Sequence, residues 1–192
     1  MFILGLNLHR GKFEKPWILK QLAVGTHQPY SAHEDYLERY GTPKQAAVGY
    51  LDDAHGQFLG GLERQGILED TLVVITSDES HGIEGVRLAS SWGFNLMLAP
   101  EQDQLPKVKS GCYGYVDLSA SILDYFALPV PSALSGRSLF REYETDREIM
   151  SFTNDKLRYY DSQSTLTKCD FQQRCRYYAS AGFIAERATL TG

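Results

Sequence analysis

The stretch Thr71 to Gly82 reads TLVVITSDESHG. Its first six residues, Thr71 to Thr76, form a β-branched run bounded by polar residues, the pattern of a short strand buried on both faces. The run stops abruptly at Ser77, and Asp78, Glu79 and His81 follow at once. In open α/β sheets, catalytic and ligand-holding groups collect at the carboxyl ends of strands. Two adjacent carboxylates and an imidazole at such an end repel or strain one another without a partner, and a divalent cation supplies one. Carboxylate oxygens suit calcium, magnesium or manganese, and an added imidazole suits zinc or manganese. The plainer alternative is a polar turn in which Asp78 caps the next element.

Working toward the N-terminus, Ile67 to Asp70 lead into this strand, and Gly66 is the natural stop of a preceding helix. That helix spans about Pro43 to Gln65. Thr42 is its N-cap, Pro43 stands in its first turn, and Gln45 closes a capping box. Leu51, His55, Phe58 and Leu62 recur at helical spacing, so this stripe is expected to be the buried face. His55 on that face reads as a core histidine with its polar atoms satisfied. Further upstream, Trp17 to Val24 reads as an apolar strand after Pro16. It opens into Gly25-Thr26-His27-Gln28-Pro29-Tyr30, where a histidine on a proline-anchored turn is placed to contact an anion or leaving group. A surface-loop histidine is the alternative. Met1 to Leu8 is apolar but short, without the basic segment and small-residue cleavage site of a signal peptide.

Toward the C-terminus, Phe94 to Leu98 reads as another strand. Asp117 is placed to cap a helix running through Phe126 and ended by Leu128-Pro129. Glu148 to Thr153, Leu157 to Asp161 and Thr165 to Cys169 look like strands of a terminal meander. Strand, helix, strand, helix and then a β-rich tail imply an α/β fold. The expectation is a predominantly parallel or mixed sheet with flanking helices and a small C-terminal antiparallel meander. The whole of 1–192 reads as one unit.

Bulk composition narrows the function. The 192 residues are 43% hydrophobic and 22% charged, which suits one globular domain and excludes a disordered chain. A formal net charge of -5, with no block of Lys and Arg, argues against nucleic acid or an anionic membrane as the main partner. No stretch approaches the roughly 18 apolar residues that span a bilayer. Cys169 and Cys175 enclose a short loop and are either a disulfide, as suits an exported protein, or two reduced thiols. Cys112 reads as a small core residue.

Six motifs taken in order carry a resemblance. Lys15-Pro16-Trp17 with the following strand and Thr26-His27-Gln28-Pro29-Tyr30 resembles the sulfatase pattern K-P-F-F…T-H-x-P-Y. Tyr50-Leu51-Asp52 with Gly56 and Leu59 is similar to the family's Y-x-D-x-x-x-G-x-L helix. Asp70-Thr71-Leu72-Val73-Val74 resembles D-N-T-L-V-V, and Ser77-Asp78 opens the family's S-D-H-G. Val116-Asp117-Leu118 with Ser121 to Leu123 resembles V-D-L-x-P-T-L-L, and Gly136-Arg137-Ser138-Leu139 the closing G-x-S-L. The core of the resemblance runs over 15–140, with a β-rich tail over 145–192. It implies an incomplete alkaline-phosphatase-like domain, related to sulfatases, phosphoethanolamine transferases and lipoteichoic acid synthases.

The resemblance further implies a metal-dependent sulfuric ester hydrolase or phospho-group transferase acting on a sulfate or phosphate ester. The cofactor is a divalent metal ion: calcium, magnesium, manganese or zinc. Asp78 carries over as a metal ligand. The family's adjacent His is Glu79 here, so either Glu79 replaces it or His81 takes the role, with Glu79 slightly favoured. His27 carries over as the histidine that contacts the substrate anion or leaving group, and Asp52 as a structural position. The family's nucleophile and first metal carboxylates belong to an N-terminal half, and neither Cys112 nor any Ser here has that context. The chain therefore reads as the C-terminal half of a catalytic domain, with a catalytically inactive structural or binding remnant as the alternative. The family also implies a periplasmic or extracytoplasmic setting and a membrane-anchored N-terminal region in the full-length protein.

Overall fold

The computed structural model describes residues 2–7, 16–77, 93–109, 111–145, 147–153, 156–161, 165–180 and 188–190. The chain is α/β and divides into two compact units, one built from residues 1–80 and 91–105, the other from 81–90 and 106–192.

The first unit holds strands β1 (Phe2–Asn7) and β2 (Trp17–Leu22), helices α1 (Glu34–Tyr40) and α2 (Pro43–Arg64), and strands β3 (Leu72–Thr76) and β4 (Asn95–Leu98). Its sheet has the order β2-β1-β3-β4. β3 is central, as its composition predicts, and all five of its residues are buried. Val73 and Ile75 form the core of this unit, and Phe58, Leu59 and Leu62 of α2 pack against them with Leu68 and Leu98. The helical stripe therefore faces the sheet. Its large side chains are half-buried, and full burial falls instead on Ala46, Ala47 and Gly49.

Both ends of α2 follow from local chemistry. The Gln45 N–H donates to Thr42 Oγ1 at 3.3 Å, and the Thr42 hydroxyl donates to Gln45 Oε1 at 2.8 Å. At the other end Gly66, at φ 65°, donates to the Glu63 carbonyl while Ile67 donates to the Leu62 carbonyl. These two bonds are the Schellman pattern that a left-handed glycine permits. α1 was not anticipated. It is only seven residues long and is held to α2 by aromatic packing. Tyr40 lies so close over Gly49 that a Cβ there would stand 2.4 Å from its ring, and Tyr36 meets Tyr50 edge-on at 5.1 Å.

Every ladder in this sheet is antiparallel. The apolar start of the chain supplies the reason, because β1 lies between β2 and β3 and pairs with both. The residues 8–16 between β1 and β2 are fewer than the dozen or so that a parallel crossover needs. Direction is nevertheless as expected: β2 and β3 each run opposite to β1 and so run the same way.

The second unit holds α3 (Val116–Tyr125) and strands β5 (Ile149–Thr153), β6 (Lys156–Tyr160), β7 (Thr165–Asp170), β8 (Cys175–Ser180) and β9 (Ala188–Leu190). The strands form the expected meander, in sequential antiparallel order. Cys169 and Cys175 are register partners on β7 and β8 and are joined by a disulfide. Cys112 is half-buried, and burial pushes its thiol pKa up. Among the described residues, no helix is long and apolar enough to cross a membrane.

Candidate functional site at the strand ends

β2 and β3 finish level with one another. Leu22 and Thr76, their last residues, are both register partners of Phe2. With one strand between them, their Cα atoms stand roughly 10 Å apart, twice the spacing of neighbouring strands. The His27 turn and Ser77 therefore start from the same edge of one sheet.

The first loop is a tight double turn. The His27 N–H donates to the Val24 carbonyl at 2.9 Å, Tyr30 N–H to the His27 carbonyl at 2.8 Å, and Ser31 N–H to the Gly25 carbonyl at 2.8 Å. Gln28–Pro29 is a cis peptide. The last of these bonds closes the loop so tightly that a Cβ on Gly25 would sit 3.0 Å from the Ser31 oxygen. The His27 ring is exposed, and its Nδ1 donates to the Gln28 carbonyl at 2.7 Å. A neutral imidazole bonded in this way carries its lone pair on Nε2.

At the end of β3, Ser77 ties the chain to the start of β4. The Ser77 N–H donates to the Phe94 carbonyl at 3.0 Å, and Phe94 N–H donates back to Ser77 Oγ at 2.8 Å. The Thr76 hydroxyl donates to the same Phe94 carbonyl at 2.9 Å. The point where the chain leaves the sheet toward Asp78 is thus held by three hydrogen bonds. This role for Ser77 was not read from the sequence, because Phe94 is brought opposite it only by the β3–β4 pairing.

Asp78, Glu79 and His81 lie outside the described residues. Among the described residues, no group of three or more His, Cys, Asp and Glu side chains could hold a metal ion. Two carboxylates of α2 are remote from such a role. Asp52 is exposed on the helix, and Asp53 accepts from the Tyr36 hydroxyl at 2.7 Å, binding α1 to α2. That bond to Asp53 raises the Tyr36 pKa. His55 is half-buried as expected, but its Nε2 has no hydrogen-bond partner among the described residues. Burial lowers its pKa, against the pull of the Asp52 carboxylate.

Two motifs of the second unit meet each other. Asp117 stands in the first turn of α3 and is fully buried; Tyr115, and not Asp117, is the N-cap. Its carboxylate accepts from the Gly114 N–H at 2.8 Å and the Arg137 N–H at 2.7 Å, and pairs with the Arg147 guanidinium at 2.6 Å. Ser121 Oγ accepts from the Leu139 N–H at 2.8 Å. The V-D-L and G-R-S-L segments are therefore two halves of one lock. A carboxylate built into neighbouring backbone in this way serves structure.

The chain belongs to the sulfatase family, whose model matches residues 4–128 and so takes in both β2 with the His27 turn and β3. It is 34% identical over 106 residues to the low-salt glycan biosynthesis sulfotransferase Agl7 of Haloferax volcanii, an alignment covering 48% of this chain and 26% of that protein. It is 32% identical over 130 residues to the human N-sulphoglucosamine sulphohydrolase, covering 60% of this chain and 25% of that protein. The chain thus spans about a quarter of the length of the curated relatives it matches. No solved structure matches it.

Proposed function

We propose that this chain forms part of a metal-dependent sulfuric ester hydrolase site, with phospho-group transfer as the other reaction type its residues suit. One observation carries the reading: β2 and β3 end level on the same sheet edge, with His27 just beyond one and Ser77-Asp78 just beyond the other. Asp78, with Glu79 or His81, would hold one divalent cation, whether calcium, magnesium, manganese or zinc. Such an ion supplies Lewis-acid stabilisation of the non-bridging ester oxygens. His27 contacts the ester from the neighbouring loop. With Nδ1 engaged on Gln28, its Nε2 donates to an anionic oxygen only when the ring is protonated, and otherwise accepts a proton there. Ser77 holds the base of the acidic exit in place through Phe94. The nucleophile is supplied by sequence that this chain does not contain.

Calorimetric titration of the chain with manganese and calcium tests the assignment. Asp78→Asn should weaken metal binding at least tenfold, as expected when a carboxylate ligand is lost. His27→Ala should leave metal binding unchanged. Full metal affinity in the Asp78 variant would overturn the ligand assignment.

A further inference from the structure

The hairpin of β7 and β8 is closed twice over. Its covalent closure is the Cys169–Cys175 disulfide, which joins register partners. Its second closure is the carboxylate of Asp170, the last residue of β7. One oxygen of that carboxylate accepts from the Gln172 N–H at 2.9 Å and from the Arg174 N–H at 3.0 Å. The other accepts from Arg174 Nε at 2.8 Å, and a second nitrogen of the same guanidinium pairs with it at 2.7 Å. Two backbone bonds complete the turn: the Gln173 N–H donates to the Asp170 carbonyl at 3.0 Å, and the Asp170 N–H to the Arg174 carbonyl at 3.2 Å. Hydrogen bonding to Arg174 holds the Asp170 carboxyl below the usual carboxylate range, so it is ionised at neutral pH.

The turn is therefore set by groups that survive loss of the S–S bond. Asp170 and Arg174 are bonded on one side of the cysteine pair, and Lys168 and Arg176 are register partners on the other. Cys169 and Cys175 then form a non-hydrogen-bonded pair, the kind whose side chains stand closest across an antiparallel ladder. β7 is held on its other edge as well, by β6 from Tyr160↔Leu166 to Lys156↔Asp170. Two thiols at these positions would remain face to face. The sulfurs also lie on a face open to water. Leu157 stands opposite Cys169, and Tyr177 follows Cys175 on the same side of the sheet; they are 39% and 45% exposed. Both cysteines are half-buried, so neither is sealed in a core.

We propose that Cys169–Cys175 is a thiol–disulfide exchange site, which a dithiol reductant opens while the meander stays folded. One thiolate of the reductant attacks a sulfur of the pair, forms a mixed disulfide and expels the other cysteine as a thiolate, which takes up a proton. The reductant's second thiolate then attacks the mixed disulfide and releases the second cysteine. The chain gains two electrons and two protons as a pair of thiols, and the reductant leaves as its own disulfide. Disulfides that solvent reaches are the labile ones, whereas sealed structural bridges resist reduction. The reverse reaction uses a disulfide oxidant such as oxidised glutathione. Its closing step is intramolecular, and the thiols that Asp170 keeps apposed meet at high effective concentration. The site therefore runs in both directions.

Reduction under native conditions is the test. The 192-residue chain is treated with dithiothreitol in the absence of denaturant, alkylated with iodoacetamide and mapped by peptide mass at Cys169 and Cys175. Both should be alkylated, with far-ultraviolet circular dichroism unchanged from the oxidised chain. Transfer to oxidised glutathione should restore the bridge between the same two residues. Cysteines that stay protected until urea is added, or a loss of strand signal on reduction, would overturn the proposal. Asp170→Ala tests the carboxylate's part. In a buffer of reduced and oxidised glutathione, it should form the bridge with an equilibrium constant about tenfold below the wild type. Gln172→Ala keeps its backbone N–H and should match the wild type. An Asp170 variant with the wild-type constant would remove the carboxylate from the device and overturn the second closure. These readouts are independent of the metal site, which the calorimetric titration tests separately.

Discussion

Asp117 has no solvent-exposed side-chain surface, yet both of its oxygens are engaged. A buried carboxylate is tolerable only when its charge is paired and its lone pairs are occupied. Removing it strands the Arg147 guanidinium, itself largely buried, together with two backbone N–H groups. Asp117→Ala is therefore expected to destabilise the second unit by about 3–5 kcal/mol, read as a lowered urea midpoint. His55 makes a different prediction. Its folded pKa lies below the ordinary 6.5 because burial disfavours the charged ring. The unfolded chain thus takes up a proton at this position before the folded chain does, and stability rises with pH across that interval. Stability should be fully present above 6.5 and fall as pH drops through the lowered folded value. In His55→Asn, urea midpoints measured at pH 7 and at successively lower pH should fall less steeply than in the wild type; an unchanged slope would remove His55 from the account.

At the scale of elements, the best-predicted pieces are those whose signals are local. α2 carries its own start at Thr42 and its own stop at Gly66, and β3 is a continuous apolar run, so neither needs distant residues to declare itself. α1 has a local stop in Gly41, at φ 75°, but no capping side chain at its start, and the apolar run of β1 is broken by Gly5. α1 exists through Tyr36 and Tyr40 on α2, and β1 through pairing on both of its edges. α3 stands between these cases: its existence was legible, but Asp117 was expected at the cap and sits inside the first turn. The segment that docks on α3 gives a sharp test. A Cβ on Gly136 would fall 1.9 Å from the Val116 carbonyl oxygen, and backbone there cannot step aside as a side-chain tip could. Gly136→Ala should cost about 3 kcal/mol by forced overpacking and release the Arg137 and Leu139 N–H bonds to α3. Hydrogen exchange at those two amides should accelerate in the variant, and unchanged protection would count against the lock.

For the molecule as a whole, β2 and β3 end on one sheet edge, with His27 just beyond the first, and the covalent route of this family needs an oxygen nucleophile. The purified chain is expected to show no turnover of an aryl sulfate or a phosphodiester, with or without added manganese or calcium. Clear metal-dependent turnover would mean that a Ser, Thr or Cys of this chain serves as the nucleophile.

Local signals were enough for the α/β class, the helix from Pro43, the buried strand at Leu72 to Thr76, the terminal meander and the family. Each rests on spacing or capping within a few residues, or on motif order along the chain. It took the folded chain to show that β1 separates β2 and β3 while leaving them co-directional, that Ser77 is tied to Phe94, and that Asp117 and Ser121 lock Gly136 to Leu139 onto α3. Folding also chose between the two states of Cys169 and Cys175, by pairing them across β7 and β8. The physical reason is common to all of these: each depends on hydrogen bonds or contacts between residues far apart in the chain, or on strand register, and neither is encoded in local spacing.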